Sequence, residues 1–305
     1  MINLDKNLCR CTFFCKIFDM ISKDIKELIY LGPEGTYSQL AAEKFVLECG
    51  VDFIDFKHLN SIKSIINYVD ENNNAIAVVP IENSIEGVVR ETIDNLTFVK
   101  DKSLKIIAEF VLPINNCLLS KNKICLADID TIISYTQPLA QCREFIVNNL
   151  SKDINIRETM STAQAAKALL SAPENWAAIA NRKAAEVYEL NIIAENINDT
   201  QNNKTRFVVL ARTQTIPSGK DKTSIVFSTK NTAGALCEVL NIFKDANINL
   251  SYIDSRPSAK NLKEYNFYLD FDGHIEDEKV AIVLSQLKQY ITFFRHNGSY
   301  KRATD

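Results

Sequence analysis

Four polar segments of this sequence follow predicted strands at points where a helix or a turn is expected to begin. They are Gly32–Ser38, Pro80–Gly87, Ser134–Gln141 and the pair Ser161-Thr162. Backbone N–H groups at helix N-termini, together with small hydroxyl and amide side chains, favour bound anions. Ligands of open α/β sheets bind beyond the carboxyl ends of the strands. The four segments therefore predict a cleft for a small carboxylate, although helix capping alone also explains each segment taken singly.

Histidine-based and metal-based chemistry are not indicated by the sequence. The three histidines are His58, His274 and His296, and none of them lies in a catalytic or metal-binding motif. The chain contains no HExxH, GxSxG, P-loop or GxGxxG pattern. These observations favour neither metal-dependent hydrolysis nor a nucleophilic triad, and they predict no nucleotide cofactor.

Composition narrows the class of protein further. The 305 residues suggest two domains of ordinary globular composition. With 35 basic and 38 acidic residues the net charge is −3, which excludes a chain-wide basic surface for nucleic acid. No apolar run is long enough to span a membrane, and no signal peptide is recognised, so we predict no membrane partner, a cytoplasmic location and reduced thiols. The cluster of Cys9, Cys11 and Cys15 matches no zinc spacing.

Strands and helices alternate from residue 28 to residue 212. This order predicts an α/β fold with mainly parallel sheets. Within it, a strand at Ala75–Val79 is expected to end at Pro80, and a helix at Ile85–Leu96 is expected to begin at a capping box formed by Asn83 and Glu86.

The pattern changes after residue 212. Residues 213–221 contain proline, serine and glycine and are predicted to be a linker. Residues 222–303 then follow the order βαββαβ, which is typical of a ferredoxin-like fold. We therefore predict an N-terminal extension at 1–27, one domain at 28–212 and a second domain at 222–303.

Several motifs in this order resemble the prephenate dehydratase family with a C-terminal ACT regulatory domain. The resemblance is carried by the stretches Tyr30–Ala42, Val79–Leu96, Leu139–Cys142, Ser161–Ala166, Ala177–Asn181, Asn203–Leu210, Lys222–Leu236, Asp254–Pro257 and Glu264–Gly273. It implies two periplasmic-binding-protein-like lobes with the active site in the cleft between them. It also implies conversion of prephenate to phenylpyruvate in phenylalanine synthesis, with no metal or organic cofactor, and feedback inhibition by L-phenylalanine bound at the ACT domain of a homodimer or homotetramer.

The resemblance also assigns roles to residues. Thr205 of the Thr-Arg-Phe motif is the family's key residue, and because a threonine hydroxyl is a poor acid, hydrogen-bond donation to the departing hydroxyl is favoured over full protonation. Arg206 is expected to organise the cleft or to pair with a carboxylate, and Glu82 to be a structural acceptor or, less favoured, an acid of raised pKa. The predicted catalytic residues are Thr205, Arg206 and Phe207. The predicted substrate-binding residues are Thr36, Ser38, Glu82, Asn83, Ser84, Gly87, Ser134, Gln141, Ser161 and Thr162. The predicted phenylalanine-binding residues are Gly234, Ala235, Leu236, Asp254, Ser255, Arg256 and Pro257.

The sequence departs from the family pattern at two places where the family usually has histidine. Tyr135 follows Ser134, and Asn115 and Asn116 precede the stretch beginning at Cys117. The missing histidines leave a catalytically weakened protein open. The motifs also do not separate the family from an arogenate dehydratase, which performs the same elimination on the aminated substrate, and a non-catalytic amino-acid sensor is the further alternative. The intact Thr-Arg-Phe motif argues against the sensor.

Overall fold

The computed structural model describes residues 25–50, 54–99, 103–258 and 261–303, which form three β-sheets with helices packed on them. Residues 1–24 of the predicted N-terminal extension, including its three cysteines, lie outside the described residues. Ile25 is buried in the core next to the first strand. Five cysteines in the described ranges, at positions 49, 117, 125, 142 and 237, are not in disulfide bonds.

The first lobe is built on a sheet that the chain enters twice. Its elements are β1 (Glu27–Leu31), α1 (Tyr37–Cys49), β2 (Asp55–Leu59), α2 (Ile62–Glu71), β3 (Ala75–Asn83), β4 (Gly87–Val88), α3 (Arg90–Phe98), β5 (Lys105–Pro113) and, much later, β11 (Lys204–Ala211). The strand order is β2-β1-β3-β11-β5, with β4 paired to β3. β1 runs parallel to β2 and β3, whereas β11 runs antiparallel to both of its neighbours.

The second lobe is inserted between β5 and β11. Its elements are β6 (Cys117–Ser120), β7 (Thr131–Ser134), α4 (Thr136–Gln141), α5 (Arg143–Asn149), β8 (Asn155–Glu158), α6 (Thr162–Ala168), β9 (Trp176–Ala180), α7 (Arg182–Val187) and β10 (Asn191–Ala194). β7 is parallel to β8 and β9, while β6 is antiparallel to β9 and β10. Both sheets are therefore mixed rather than mainly parallel, because the segments that cross between the lobes enter each sheet in the reverse direction.

The expected helix at Ile85–Leu96 is wrong in its first half. β3 continues through Pro80, which lies at an irregularity in the pairing with β11, a place where a strand tolerates proline. The Asn83 Oδ1 atom accepts hydrogen bonds from the backbone N–H groups of Ile85 and Glu86, both at 3.0 Å. These bonds close a tight turn into β4 instead of starting a helix, and α3 begins only at Arg90.

The third unit has the predicted βαββαβ order. It comprises β12 (Asp221–Thr229), α8 (Ala235–Asp245), β13 (Leu250–Ser258), β14 (Asn261–Asp272), α9 (Glu278–Leu287) and β15 (Ile291–Lys301). The sheet is antiparallel with the order β13-β14-β12-β15. Phe227, Leu269 and Phe271 pack with residues of α8 and α9 in one core, so both helices cover the same face of the sheet.

The other face of this sheet packs directly on the first lobe. Val226, Tyr268 and Tyr300 are buried in one hydrophobic cluster with Ile106 of β5 and Val208 of β11. β14 alternates between the two faces of the sheet, and the face that carries Tyr268 and Asp270 is buried against the first lobe. No helix of the described residues has the length and apolar character needed to cross a bilayer.

Candidate active site

Thr205 and Asn83 form the centre of the candidate site. β3 ends at Asn83 and β11 begins one residue before Thr205, and the antiparallel register places the two residues opposite each other. The Asn83 Nδ2 group donates a hydrogen bond of 2.9 Å to the Thr205 hydroxyl, and both residues are buried. Within the described residues the Thr205 hydroxyl has no other hydrogen-bond partner. Because it accepts from the amide, it keeps its own proton for an acceptor outside the protein.

A chain of amides continues from this pair into the second lobe. Asn83 Nδ2 also donates to Asn203 Oδ1 at 2.8 Å, and Asn203 Nδ2 donates to Gln141 Oε1 at 2.9 Å. The Gln141 Nε2 group is buried and has no partner among the described residues. Buried amide donors are normally hydrogen-bonded, so this group stands out as an unsatisfied donor at the end of the network. Sequence reasoning did not single out Asn203, although it directly precedes the Thr-Arg-Phe strand.

Two of the predicted binding hydroxyls cap helices. The Thr36 hydroxyl accepts from the Gln39 N–H group at 3.3 Å at the start of α1 and donates to the Leu31 carbonyl at 3.0 Å. The Ser161 hydroxyl accepts from the Gln164 N–H group at 3.1 Å at the start of α6. These bonds are the capping contacts that the sequence also predicted for such segments.

Two further predicted binding hydroxyls form hydrogen bonds within the protein. The Ser134 hydroxyl is buried and donates to the Ile179 carbonyl at 2.7 Å. The Ser84 hydroxyl accepts from the Lys204 N–H group at 2.9 Å and so ties the turn after β3 to the start of β11. Of the remaining predicted binding residues, Ser38 is buried in α1, Thr162 is the first residue of α6, and Gly87 is exposed at the start of β4.

The positions where the family usually has histidine are occupied by Asn115, Asn116 and Tyr135. Asn116 is fully buried, and its Oδ1 atom accepts a 3.1 Å hydrogen bond from the Tyr37 hydroxyl. Tyr37 also donates to the Asn115 carbonyl at 2.7 Å, and burial raises its pKa well above the usual value, so the hydroxyl stays neutral. Tyr135 is exposed at the N-terminal end of α4. Tyr37, whose hydroxyl connects α1 to the segment before β6, is a second polar residue that sequence reasoning did not single out.

Histidines lie away from this network of amides and hydroxyls. His58 is on β2, where its ring contacts Tyr30 at a centroid distance of 5.9 Å. His274 and His296 lie between the third unit and the first lobe, within hydrogen-bond distance of Thr215 and Ser299 respectively. The described residues around Thr205 therefore offer neutral donors rather than a histidine acid.

Arg206 and Phe207 do not join Thr205 in the polar network. Phe207 is buried in the core of the first lobe, where its ring stacks on Phe110 at 5.9 Å. Arg206 points to a group of carboxylates: its Nε donates to Glu82 at 3.0 Å, and its Nη1 donates to Glu109 at 2.9 Å. Successive residues of a strand face opposite sides of the sheet, which separates the guanidinium from the Thr205 hydroxyl.

The same guanidinium reaches the third unit. Arg206 Nη1 lies 3.3 Å from Asp270 Oδ2, and Lys222 Nζ lies 2.8 Å from Glu109 Oε1. Burial alone raises the pKa of Glu109, but Lys222 and Arg206 outweigh it and hold the pKa below its usual value. Burial raises the pKa of Asp270, which Arg206 and Ser224 oppose without cancelling. Burial would lower the pKa of Arg206, but the surrounding Tyr300, Asp270 and Glu109 raise it, so the guanidinium stays charged.

The predicted phenylalanine-binding segment 234–236 lines a pocket on the third unit. Gly234 precedes α8 with φ of +83°, and no side chain caps the helix. The free N–H groups of the first turn and the helix dipole attract an anion such as an amino-acid carboxylate. Tyr265 and Phe267 of β14 also line this pocket and supply an aromatic wall.

Residues Asp254 to Pro257 lie on β13, the strand next to this wall. Ser255 pairs with Phe267, so its side chain shares the face of the pocket. Arg256 faces the first lobe instead and forms an ion pair with Asp94 of α3, with N–O distances of 2.8 and 2.9 Å. β13 is an edge strand of its sheet.

Comparison with known proteins agrees with this architecture. Residues 28–215 match the family model described as prephenate dehydratase, and residues 223–289 match that of the ACT domain. The chain is 41% identical over 285 residues to a prephenate dehydratase of Methanocaldococcus jannaschii, with 90% of this chain and 98% of that protein covered. It is 36% identical over 292 residues to arogenate dehydratase 2 of Petunia hybrida, covering 89% of this chain and 70% of that protein.

A solved structure gives the same result at the level of the fold. The structure of a prephenate dehydratase from Arthrobacter aurescens in complex with L-Phe matches with a TM-score of 0.82 and 33% identity, covering 90% of each chain. The resemblance is therefore confirmed, and so is the predicted fold class of two periplasmic-binding-protein-like lobes followed by an ACT domain, with the lobe sheets mixed rather than mainly parallel.

Proposed function

We propose, from the premise that this chain belongs to the prephenate dehydratase family, that Thr205 is the residue that assists the departing hydroxyl of the substrate. The reaction is the conversion of prephenate to phenylpyruvate with loss of water and carbon dioxide, a hydro-lyase reaction. The single observation that carries the assignment is the buried Thr205 hydroxyl, which accepts from Asn83 and is left free to donate.

The substrate itself supplies most of the driving force. Prephenate holds a carboxylate and a hydroxyl on one cyclohexadiene ring, and loss of both makes the ring aromatic. The protein must hold the ring and stabilise negative charge that develops on the leaving oxygen. A positioned donor such as the Thr205 hydroxyl does this without full proton transfer.

The neutral donors around Thr205 suit a substrate with two carboxylates. The Gln141 Nε2 group and the Thr205 hydroxyl are polar without carrying charge, so they suit orientation of the substrate without over-stabilising the carboxylate that must leave. Glu82, which would repel a dianion, is paired with Arg206 at 3.0 Å. This pairing supports the structural role for Glu82 and a role for Arg206 in neutralising it.

Regulation by L-phenylalanine is proposed at the pocket beside Gly234. The open N-terminus of α8 would take the carboxylate, and Tyr265 with Phe267 would take the aromatic ring. The unpaired edge of β13 supports a homodimer or homotetramer in which Asp254 to Pro257 of a neighbouring subunit close the site. The cytoplasmic location inferred from the sequence remains a prediction.

The experiment is an assay of the purified full chain with prephenate and, separately, with arogenate. Release of phenylpyruvate from prephenate at a higher kcat/KM than release of phenylalanine from arogenate supports the proposal. The opposite ratio would identify the arogenate dehydratase, which the 36% identity to the petunia protein keeps as the second candidate. No product from either substrate would favour the non-catalytic sensor.

A further inference from the structure

Arg206 connects β11, the strand that contains Thr205, to the third unit, which we call the regulatory unit. Thr205 and Arg206 are consecutive on β11, and the guanidinium lies on the face of the sheet opposite to the Thr205 hydroxyl. Its Nη1 group contacts Glu109 of β5 at 2.9 Å and Asp270 of β14 at 3.3 Å. Asp270 of the third unit thus contacts the residue that directly follows Thr205, and Thr205 carries the proposed catalytic hydroxyl.

The carboxylates that hold Arg206 are removed from water. Asp270 is completely buried and Glu109 is 3% exposed. Ser224 donates a 2.6 Å hydrogen bond to Asp270, and Lys222 pairs with Glu109, so each carboxylate has a second partner that fixes its position. A buried ion pair with satisfied hydrogen bonds has a well-defined geometry, because any rearrangement leaves a charge unpaired in a medium of low polarity.

β14 connects this ion pair to the proposed phenylalanine pocket. Phe267 lines the pocket, and Asp270 lies three residues further along the same strand. β14 pairs with β13 on one side and β12 on the other throughout this stretch. A strand held on both sides moves as a unit, so a shift imposed at Phe267 is carried to Asp270.

We propose that Asp270 and Glu109 are positioning residues for Thr205 that act through Arg206, and that the Arg206–Asp270 contact transmits occupancy of the pocket to the active site. This inference rests on the proposed function. In the ligand-free protein the contact fixes the start of β11, where Thr205 meets Asn83. A ligand that favours a different position of β14 weakens the contact and displaces the Thr205 hydroxyl. Substrate bound at the active site in turn weakens phenylalanine binding by the same factor, because a coupling between two sites is reciprocal in free energy.

The test uses Asp270→Asn in the full chain. Arg206 keeps Glu82 and Glu109 in this variant, so the guanidinium stays partnered and the protein is expected to fold. We expect kcat to fall about tenfold or more, with KM changed by less than about threefold, because displacement of a positioned group affects the transition state most. The inhibition by phenylalanine, typically about 5- to 150-fold for coupled sites, should fall to less than about twofold. Calorimetry should show phenylalanine binding retained.

Asp272→Asn is the matched control, since it makes the same change on the same strand but removes an ion pair with Arg302 inside the third unit. It should leave both turnover and inhibition as in the wild type. Ser224→Ala, which removes the hydrogen bond to Asp270, is the milder second variant and should lower turnover and inhibition in the same direction. It serves as the test if Asp270→Asn does not fold. If folded Asp270→Asn shows the turnover and inhibition of the wild type, the inference is overturned. If Asp270→Asn does not fold, the same result in Ser224→Ala overturns it.

Hydrogen exchange keeps this test separate from the test of the proposed function. Phenylalanine should change exchange of the backbone amides of β11 in the wild type and should not do so in Asp270→Asn. This readout needs no turnover, so a wild-type protein that makes no phenylpyruvate overturns the proposed reaction alone. Equal ligand-induced changes in the two proteins, or no change in the wild type, would overturn the coupling.

Discussion

The replacement of Thr205 by valine removes the proposed donor while keeping the shape of the side chain. Thr205 is 8% exposed, so an isosteric change avoids the cavity that alanine would leave. Valine has no hydroxyl and cannot donate to the departing oxygen of the substrate. We expect kcat to fall strongly and KM to change by only a few-fold, because the lost hydrogen bond strengthens mainly in the transition state.

The magnitude follows from the contacts of Asn83 and from the usual strength of such donors. Loss of one donor to a developing oxyanion costs about 2.7–4 kcal/mol, or about 100- to 1,000-fold in kcat. The Asn83 amide loses its 2.9 Å bond to Thr205 but keeps Asn203 Oδ1 at 2.8 Å and the Lys204 carbonyl at 3.2 Å. The free energy of unfolding should therefore fall by only about 1 kcal/mol.

The assay is steady-state formation of phenylpyruvate from prephenate, with the free energy of unfolding measured by urea denaturation of the same samples. Thr205→Ser is the matched control, because it retains the hydroxyl and should stay within about tenfold of the wild-type kcat. A kcat for Thr205→Val within about threefold of the wild type, in a protein of normal stability, would refute the assignment of Thr205 as the donor.

Three further predictions concern other parts of the molecule. Gly234→Val should abolish phenylalanine binding in calorimetry, because a β-branched side chain is strained at φ of +83° and occupies the pocket; normal binding would exclude this pocket. Burial, with Lys105 and His274, lowers the pKa of His296 to about 3, so below about pH 6.5 the unfolded chain binds a proton that the folded protein does not, and stability decreases as the pH is lowered. The loss should be about 2 kcal/mol between pH 7 and pH 5 and should shrink in His296→Asn; an unchanged pH dependence of urea denaturation would contradict it. Asn203→Ala should lower the free energy of unfolding by about 1–3 kcal/mol, since it leaves the Gln141 amide oxygen unpaired, and a neutral effect would show that the network of amides is dispensable.

Much of the fold was predictable because its local patterns agree with its tertiary structure. The apolar run that begins at Ala75 is a strand, and residues 222–303 form the expected order βαββαβ. The direction of β11 was not predictable, since an apolar run does not indicate whether its neighbours run parallel or antiparallel. The turn at Asn83 was read as a helix cap because an asparagine side chain accepts from N–H groups two and three residues later in both structures.

The candidate site was predictable only in part. Thr205, Asn83 and Gln141 were singled out, and the structure brings them into one network through Asn203. Arg206 was grouped with Thr205 because both belong to the Thr-Arg-Phe motif that carries the family resemblance, although the period of two along a strand already indicates opposite faces. Its partner Asp270 lies 64 residues away, and nothing in the local sequence connects the two.

The packing of the regulatory sheet on the first lobe has a consequence for how the chain unfolds. Tyr268 and Tyr300 complete the same apolar cluster as Ile106 and Val208, and a Cβ atom on Gly298 would lie 2.1 Å from the Ile106 carbonyl oxygen. Separation of the two layers would expose these apolar side chains to water and would leave the ion pairs of Arg206 and Glu109 with the third unit broken. The two sequence regions that match separate family models are therefore expected to melt together in one cooperative transition. An exchange of the regulatory sheet for that of a distant relative would require matching changes on β5 and β11.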